Sequence, residues 1–220
     1  LVLNQASAPE SPPLSLVEMP FAALPPITVE PGGWDGVSGI QPARPGTLRR
    51  EDTAIYSSIG NHLATVGDIK TLQKVADKHR LVATLNRLAM SSARIRFDRG
   101  DLVYRDGQSM TISVQDRSTR HLTLINLGAD GKISLLYPVT EFGDPLEKPA
   151  SRQIALPVRV TAPFGSDHVV AIETDTPAPA LIAGIKSLTG SQDMAGLWEL
   201  LRRSNGRIAL FPFFTAGPSL

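Results

Sequence analysis

From Arg94 to Phe214 the apolar residues recur mainly at every second position in short runs, a period that strands satisfy and a helix does not. Ile95 and Phe97 alternate with Arg94 and Arg96, and Met110, Ile112 and Val114 alternate with Thr111, Ser113 and Gln115. Leu122 and Leu124 alternate with Thr123 and Ile125, and Lys132 to Tyr137 follows as a further strand. Asp106-Gly107 and Ala129-Asp130-Gly131 are turn signals between runs, and Pro138 ends the strand before it. Residues 153–160 and 168–173 supply two more strands, and Ile208 to Phe214 a last one.

Helical spacing appears on either side of this block. Asp68 reads as the N-cap of a helix running to about Met90, with Ile69, Leu72, Val75, Ala76, Val82, Leu85, Leu88 and Ala89 largely on one face. Lys70, Lys74, Lys78, Arg80 and Arg87 populate the rest of that helix, and His79 reads as a surface residue on it. Shorter helices are expected at about 178–189 and 193–203. The predicted fold is therefore mainly β (α+β): an antiparallel β-sandwich or barrel-like domain, with one long helix before it and two short helices after the main strands.

Residues 1–50 hold nine of the 18 prolines, which forbid continuous helix and interrupt any ladder. Yet Leu14, Leu16, Val17, Phe21, Leu24, Ile27, Val29 and Trp34 are too apolar for a free linker. An extended arm lying on a neighbouring surface suits them, and a disordered interdomain linker is the alternative. The expected organisation is a Pro-rich arm or linker over 1–50 and a β-rich accessory domain with flanking helices over 51–220. The first residue is Leu1 rather than Met, which leads us to expect a fragment, a mature form or an expressed piece of a protein.

Charge and composition argue against several function classes. Lys plus Arg number 22 against 21 acidic residues, so no basic excess invites nucleic acid. No apolar run approaches the roughly 18–20 residues of a membrane-spanning helix. The chain has no cysteine, which removes thiolate nucleophiles and thiolate metal sites and leaves the compartment open. His62, His79, His121 and His168 lack the spacing of a metal site, so no metal and no cofactor is expected. Phosphate-loop patterns are absent, and Gly36-Val37-Ser38-Gly39 lacks the strand and helix that a nucleophile elbow requires. Asp98, Asp101, Asp106, Asp116 and Asp130 fall at predicted turns, where the backbone favours them. No catalytic residue is assigned.

One set of blocks has a recognisable order. Leu102 to Gln108 is followed by His121 to Leu127, Ala129-Asp130-Gly131-Lys132-Ile133, Leu135-Leu136-Tyr137-Pro138 and Ala162-Pro163-Phe164-Gly165-Ser166-Asp167-His168-Val169-Val170-Ala171-Ile172. In this order residues 94–175 resemble a bacterial domain of unknown function that follows caspase-like peptidase domains, and sometimes protein-kinase domains, in exported or envelope-linked proteins. The resemblance implies a noncatalytic, β-rich accessory domain of a periplasmic or secreted protein. A caspase-like peptidase needs a Cys nucleophile, so that activity would reside upstream of Leu1 or on another chain.

The residues of the signature have readings of their own. Tyr137-Pro138 reads as a strand end whose ring caps the core. Pro163-Phe164-Gly165 reads as a tight entry turn, with Gly165 allowing positive φ, Phe164 packed inward and Asp167 bonding backbone amides. A competing reading makes Tyr137, Phe164, Asp167 and His168 the rim of a ligand or peptide site.

The residues fit two functions of different class. The first is a regulatory or interaction module that docks a protein partner or its own upstream catalytic domain, with a homo-oligomer left open. The second is a hydrolase with an unrecognised site at Asp167 and His168, which requires the two side chains to converge. A structural spacer in an envelope protein is the third and plainest option.

Overall fold

The alternation seen from Arg94 onward reappears in space as two stacked sheets, and the helical stripes cover the outer face of one of them. The computed structural model describes residues 20–31, 47–51, 53–56, 62–88, 93–116, 120–139 and 152–218. Four strands come first: β1 (Thr28–Pro31), β2 (Thr47–Glu51), β3 (Ala54–Tyr56) and β4 (His62–Thr65). Helix α1 (Ile69–Arg87) leads into β5 (Arg94–Phe97), β6 (Val103–Arg105), β7 (Ser109–Asp116), β8 (His121–Leu127) and β9 (Ile133–Tyr137). The chain continues through β10 (Arg152–Arg159), β11 (Ser166–Thr174), α2 (Pro179–Leu188), α3 (Met194–Ser204) and β12 (Arg207–Ala216).

These strands form three sheets among the described residues: β1-β2-β3-β4, β10-β7-β5 and β6-β12-β11-β8-β9. The fold is α+β and sandwich-like, and the barrel alternative is corrected, because the sheets do not close on one another. Nor is the pairing wholly antiparallel: β1–β2 and β6–β12 run parallel.

The five-stranded sheet is the middle layer, and its residues sort by parity. In β11, Val169 and Ala171 enter a core shared with the three-stranded sheet, while Val170 and Ile172 enter a second core shared with the helices. Strand β12 repeats the division, with Ala209 and Phe213 on the first side and Ile208 on the second. All nine residues of β11 are buried, and its apolar stretch Val169–Ile172 is continuous rather than alternating, as in a strand covered on both faces. The helix-side core centres on Trp198, Leu201, Leu197 and Ile185, all fully buried. The small first sheet packs Leu48, Ile55 and Leu63 against Val75 on another part of α1.

Local chemistry explains the element ends. The Asp68 carboxylate accepts from the Thr71 N–H at 2.7 Å, as an N-cap should, and Asp193 does the same for Gly196 at 2.8 Å. Asn205 closes α3 in the left-handed conformation at φ 53°. Gly165 has φ 150°, and a Cβ there would overlap the Leu63 carbonyl oxygen and lie 2.6 Å from its carbon. The entry turn of β11 thus presses on β4 where only glycine fits.

Of the expected arm, the described part is residues 20–31 and 47–50. A short 3-10 turn, Phe21–Ala23, leads to Leu24, which is 1 % exposed in the helix-side core. Arg80 donates to the carbonyl oxygens of Ala22, Leu24 and Pro25, and its guanidinium lies 5.2 Å from the Phe21 ring centroid. Burying Leu24 contributes about 2 kcal/mol. The boundary placed at residue 50 falls inside β2.

Candidate functional site

A cleft of about 240 Å³ opens between the two sheets of the sandwich. Its sides are β9, through Ser134 and Leu136, and β10, through Val158 and Arg159. Both are edge strands, one of each sheet. Asp167, Phe213 and Thr215 come from β11 and β12, and Asn126 from β8. The lining is mixed: Leu136, Val158 and Phe213 stand beside the polar Asn126, Asp167 and Thr215.

Asp167 is the acidic group of this lining. Its side chain lies on the sandwich side of β11 and is 7 % exposed. The Thr215 hydroxyl donates to Oδ2 at 3.0 Å and the Asn126 amide to Oδ1 at a long 3.4 Å. These side-chain partners replace the backbone amides expected from the sequence. Burial pushes the Asp167 carboxyl up from the ordinary range, and Lys78, Thr215 and Asn126 pull it back. Asn126 Oδ1 is itself buried with no hydrogen-bond partner.

His168 follows Asp167 in the chain and therefore points through the opposite face of the sheet, toward α1. There its ring sits edge-on to His79, with centroids 6.1 Å apart. Burial, then Lys78 and His79, hold His168 well below its usual value. His79 is pushed down to about 3 by burial and by Lys78. The reading of His79 as a surface residue is corrected, since it is 8 % exposed.

Lys78 is the residue that sequence reasoning misplaced most. Helical spacing puts it on the polar face of α1, yet it is 0 % exposed. Its ammonium donates to the Ser166 carbonyl oxygen. Burial lowers it to about 8, while Asp167 and Asp130 act in the other direction. No spacing rule finds such a lysine, because its position on α1 would serve solvent equally well were β11 not packed there.

Tyr137 and Phe164 complete the predicted set. Tyr137 is 3 % exposed within the sandwich core, in keeping with a ring that caps it, and Phe164 is half-buried against the same core. Of the four, Asp167 lines the cleft, while Tyr137, Phe164 and His168 are not among its lining residues. Among the described residues no group of three His, Asp or Glu side chains is placed to hold a metal ion. None of the described helices is long and apolar enough to cross a membrane.

Fold and cleft together define an α+β sandwich-like domain with a cleft between two edge strands. Residues 103–177 match the model of a family described as a domain of unknown function (DUF4384). That match covers β6 to β11 and overlaps the signature read from the sequence. No curated protein and no solved structure matches the chain.

Proposed function

We propose that this chain is a non-catalytic accessory domain that binds a ligand or partner in the cleft between β9 and β10. The observation that carries this reading is the composition of the cleft. Polar and apolar side chains line it together around a buried carboxylate at Asp167 that is bonded to Thr215 and Asn126 and not to an imidazole. Strand alternation directs Asp167 and His168 to opposite faces, so an acid–base pair between them would have to cross the sheet. The domain serves a larger bacterial protein of the caspase-like peptidase type, acting in the periplasm or outside the cell. Support for that context is the resemblance of residues 94–175.

The test is a fragment screen on the 220-residue chain by amide NMR, with each fragment checked by mass after incubation. Small amines, acids, alcohols and extended tetrapeptides serve as probes. The reading expects shifts at Asn126, Ser134 and Thr161, reduced by Val158→Trp, with every probe recovered intact. Turnover of any probe, or shifts confined to other surfaces, would replace it with the hydrolase reading or the spacer reading respectively.

A further inference from the structure

The three-stranded sheet has two edges, β5 and β10, and they are not alike. In an antiparallel ladder, residues that exchange hydrogen bonds with the neighbour alternate with residues whose N–H and C=O point away from it. The Asp98 N–H donates to the Thr111 carbonyl oxygen at 3.3 Å, continuing the register that sets Arg96 opposite Ser113 and Arg94 opposite Gln115. Arg94 and Arg96 therefore direct their backbone groups to β7, and Ile95 and Phe97 turn theirs to the open side of β5. Those groups make no hydrogen bond among the described residues. On β10 the Val160 N–H bonds the Gln108 carbonyl oxygen, so by the same count Pro157 faces outward, where it has no N–H to offer. In the five-stranded sheet, β9 is closed at Ile133 by hydrogen bonds to Gly190 and Ser191, and β6 is three residues long.

Side chains decide what the β5 edge can accept. Arg94 and Arg96 are exposed on the outer face of the sheet, and among the described residues no acid pairs with either. Asp98, the acid next along the chain, is bonded to the Tyr104 hydroxyl at 2.8 Å and to the Thr111 N–H at 3.1 Å. Ile95 and Phe97 point the other way, into the sandwich core. Ile95 is buried, whereas Phe97, with its ring centroid 5.2 Å from that of Phe213, is only partly covered. A strand added here sets every second side chain beside an arginine and the next one beside Phe97. A second copy of the chain suits the edge poorly, because it brings its own arginines and like charges across a strand pair repel.

We propose that the open edge of β5 takes up an extended segment of a partner protein in which acidic and apolar residues alternate. The segment's N–H and C=O groups bond those of Ile95 and Phe97, its carboxylates stand beside Arg94 and Arg96, and its apolar side chains close over Phe97. Phosphates of a lipid or a nucleic acid would serve the arginines and leave the backbone groups unmet. The site is separate from the cleft and does not depend on it, since β7 lies between β5 and β10.

The experiment is hydrogen exchange by NMR on the full 220-residue chain, with the capped peptide Thr-Val-Glu-Val-Glu-Val-Thr as probe. Bound peptide should slow exchange at the Ile95 and Phe97 amides and leave those of Arg94 and Arg96, already bonded to β7, unchanged. The same peptide with lysine for glutamate should bind about tenfold more weakly, and Arg94→Glu with Arg96→Glu should reverse that preference. N-methylation of the central valine, whose N–H would face β5, should abolish binding of the glutamate peptide. No protection at β5, or protection confined to other strands, would overturn the proposal. So would equal affinity for the two peptides, or binding that survives N-methylation. A dimer on sizing, with Ile95 and Phe97 protected before any peptide is added, would assign the edge to a second copy and overturn it as well.

Discussion

Two neutral imidazoles packed face to edge beneath the central sheet make the protein acid-labile over a defined range. His79 titrates near 6.5 when unfolded and is held at about 3 in the fold, because burial and the Lys78 charge oppose its protonation. A depressed folded value means that stability is fully present above the unfolded value and is lost as pH falls toward the folded one. At pH 5.0 an unfolded histidine lies 1.5 pH units below its midpoint, so His79 alone lowers stability by about 2 kcal/mol relative to pH 7.5. His168 is lowered for the same reason and acts in the same direction. Asp167, raised by burial, takes up its proton earlier in the folded state and offsets part of the loss. Urea unfolding at the two pH values measures the sum, with tryptophan fluorescence as reporter because Trp198 is fully buried. For a denaturant dependence of about 2 kcal/mol/M, the midpoint should fall by ~1 M. His79→Leu should flatten the dependence, and adding His168→Leu should flatten it further. A midpoint equal at both pH values, or an equally steep decline in the double variant, would refute the account of these histidines as buried and neutral.

Further outcomes follow from particular contacts. Gly165→Ala should cost at least about 3 kcal/mol, since the added Cβ overlaps the Leu63 carbonyl and φ 150° disfavours any side chain; thermal unfolding checks it, and a change under about 1 kcal/mol would contradict the geometry. Arg80→Ala should free Phe21 and Leu24 from the helical layer by removing charged hydrogen bonds worth about 1.5–3 kcal/mol each. Limited proteolysis should then cut at residues 20–27 several-fold faster, and the thermal midpoint should fall as Leu24 leaves the helix-side core.

Most elements from Asp68 onward were legible because each face of the chain meets one environment. Helix α1 has its Asp68 cap, and β7 shows clean alternation. The Asp-Gly turns fall where strands exchange, with Gly107 at φ 75° and Gly131 at φ 86°. The first sheet was not legible. Its strands are three to five residues long, too short to establish a period, and β1 finds its partner by a parallel pairing. Parts of the arm expectation, residues 1–19 and 32–46, lie outside the described residues.

The site was half legible for a geometric reason. A loop motif singled out Asp167 and His168 together, but once β11 is seen to begin at Ser166 the two must diverge. Asn126 and Thr215 carried no signal, because they reach Asp167 from strands 41 and 48 residues away. Lys78 and His79 show the limit of helical periodicity. It ranks residues by polarity, whereas α1 is packed on more than one side, by the first sheet and by the helix-side core.

The place of β12 in the central sheet has a consequence for how this chain can be divided. Strand β6 pairs with β12, and β12 lies between β6 and β11. The stretch that matches the family model stops at 177, thirty residues short of the strand that joins its first and last members. Excised at those limits, the piece would carry β6 with no neighbour and β11 with a bare flank, each inviting a stranger's backbone. During synthesis, too, the gap stays open until Arg207–Ala216 clears the ribosome, so the sheet is completed by its final insertion rather than by growth from one end. The smallest unit able to stand alone is therefore set by that closing strand, and expression boundaries drawn short of it would yield an aggregating fragment.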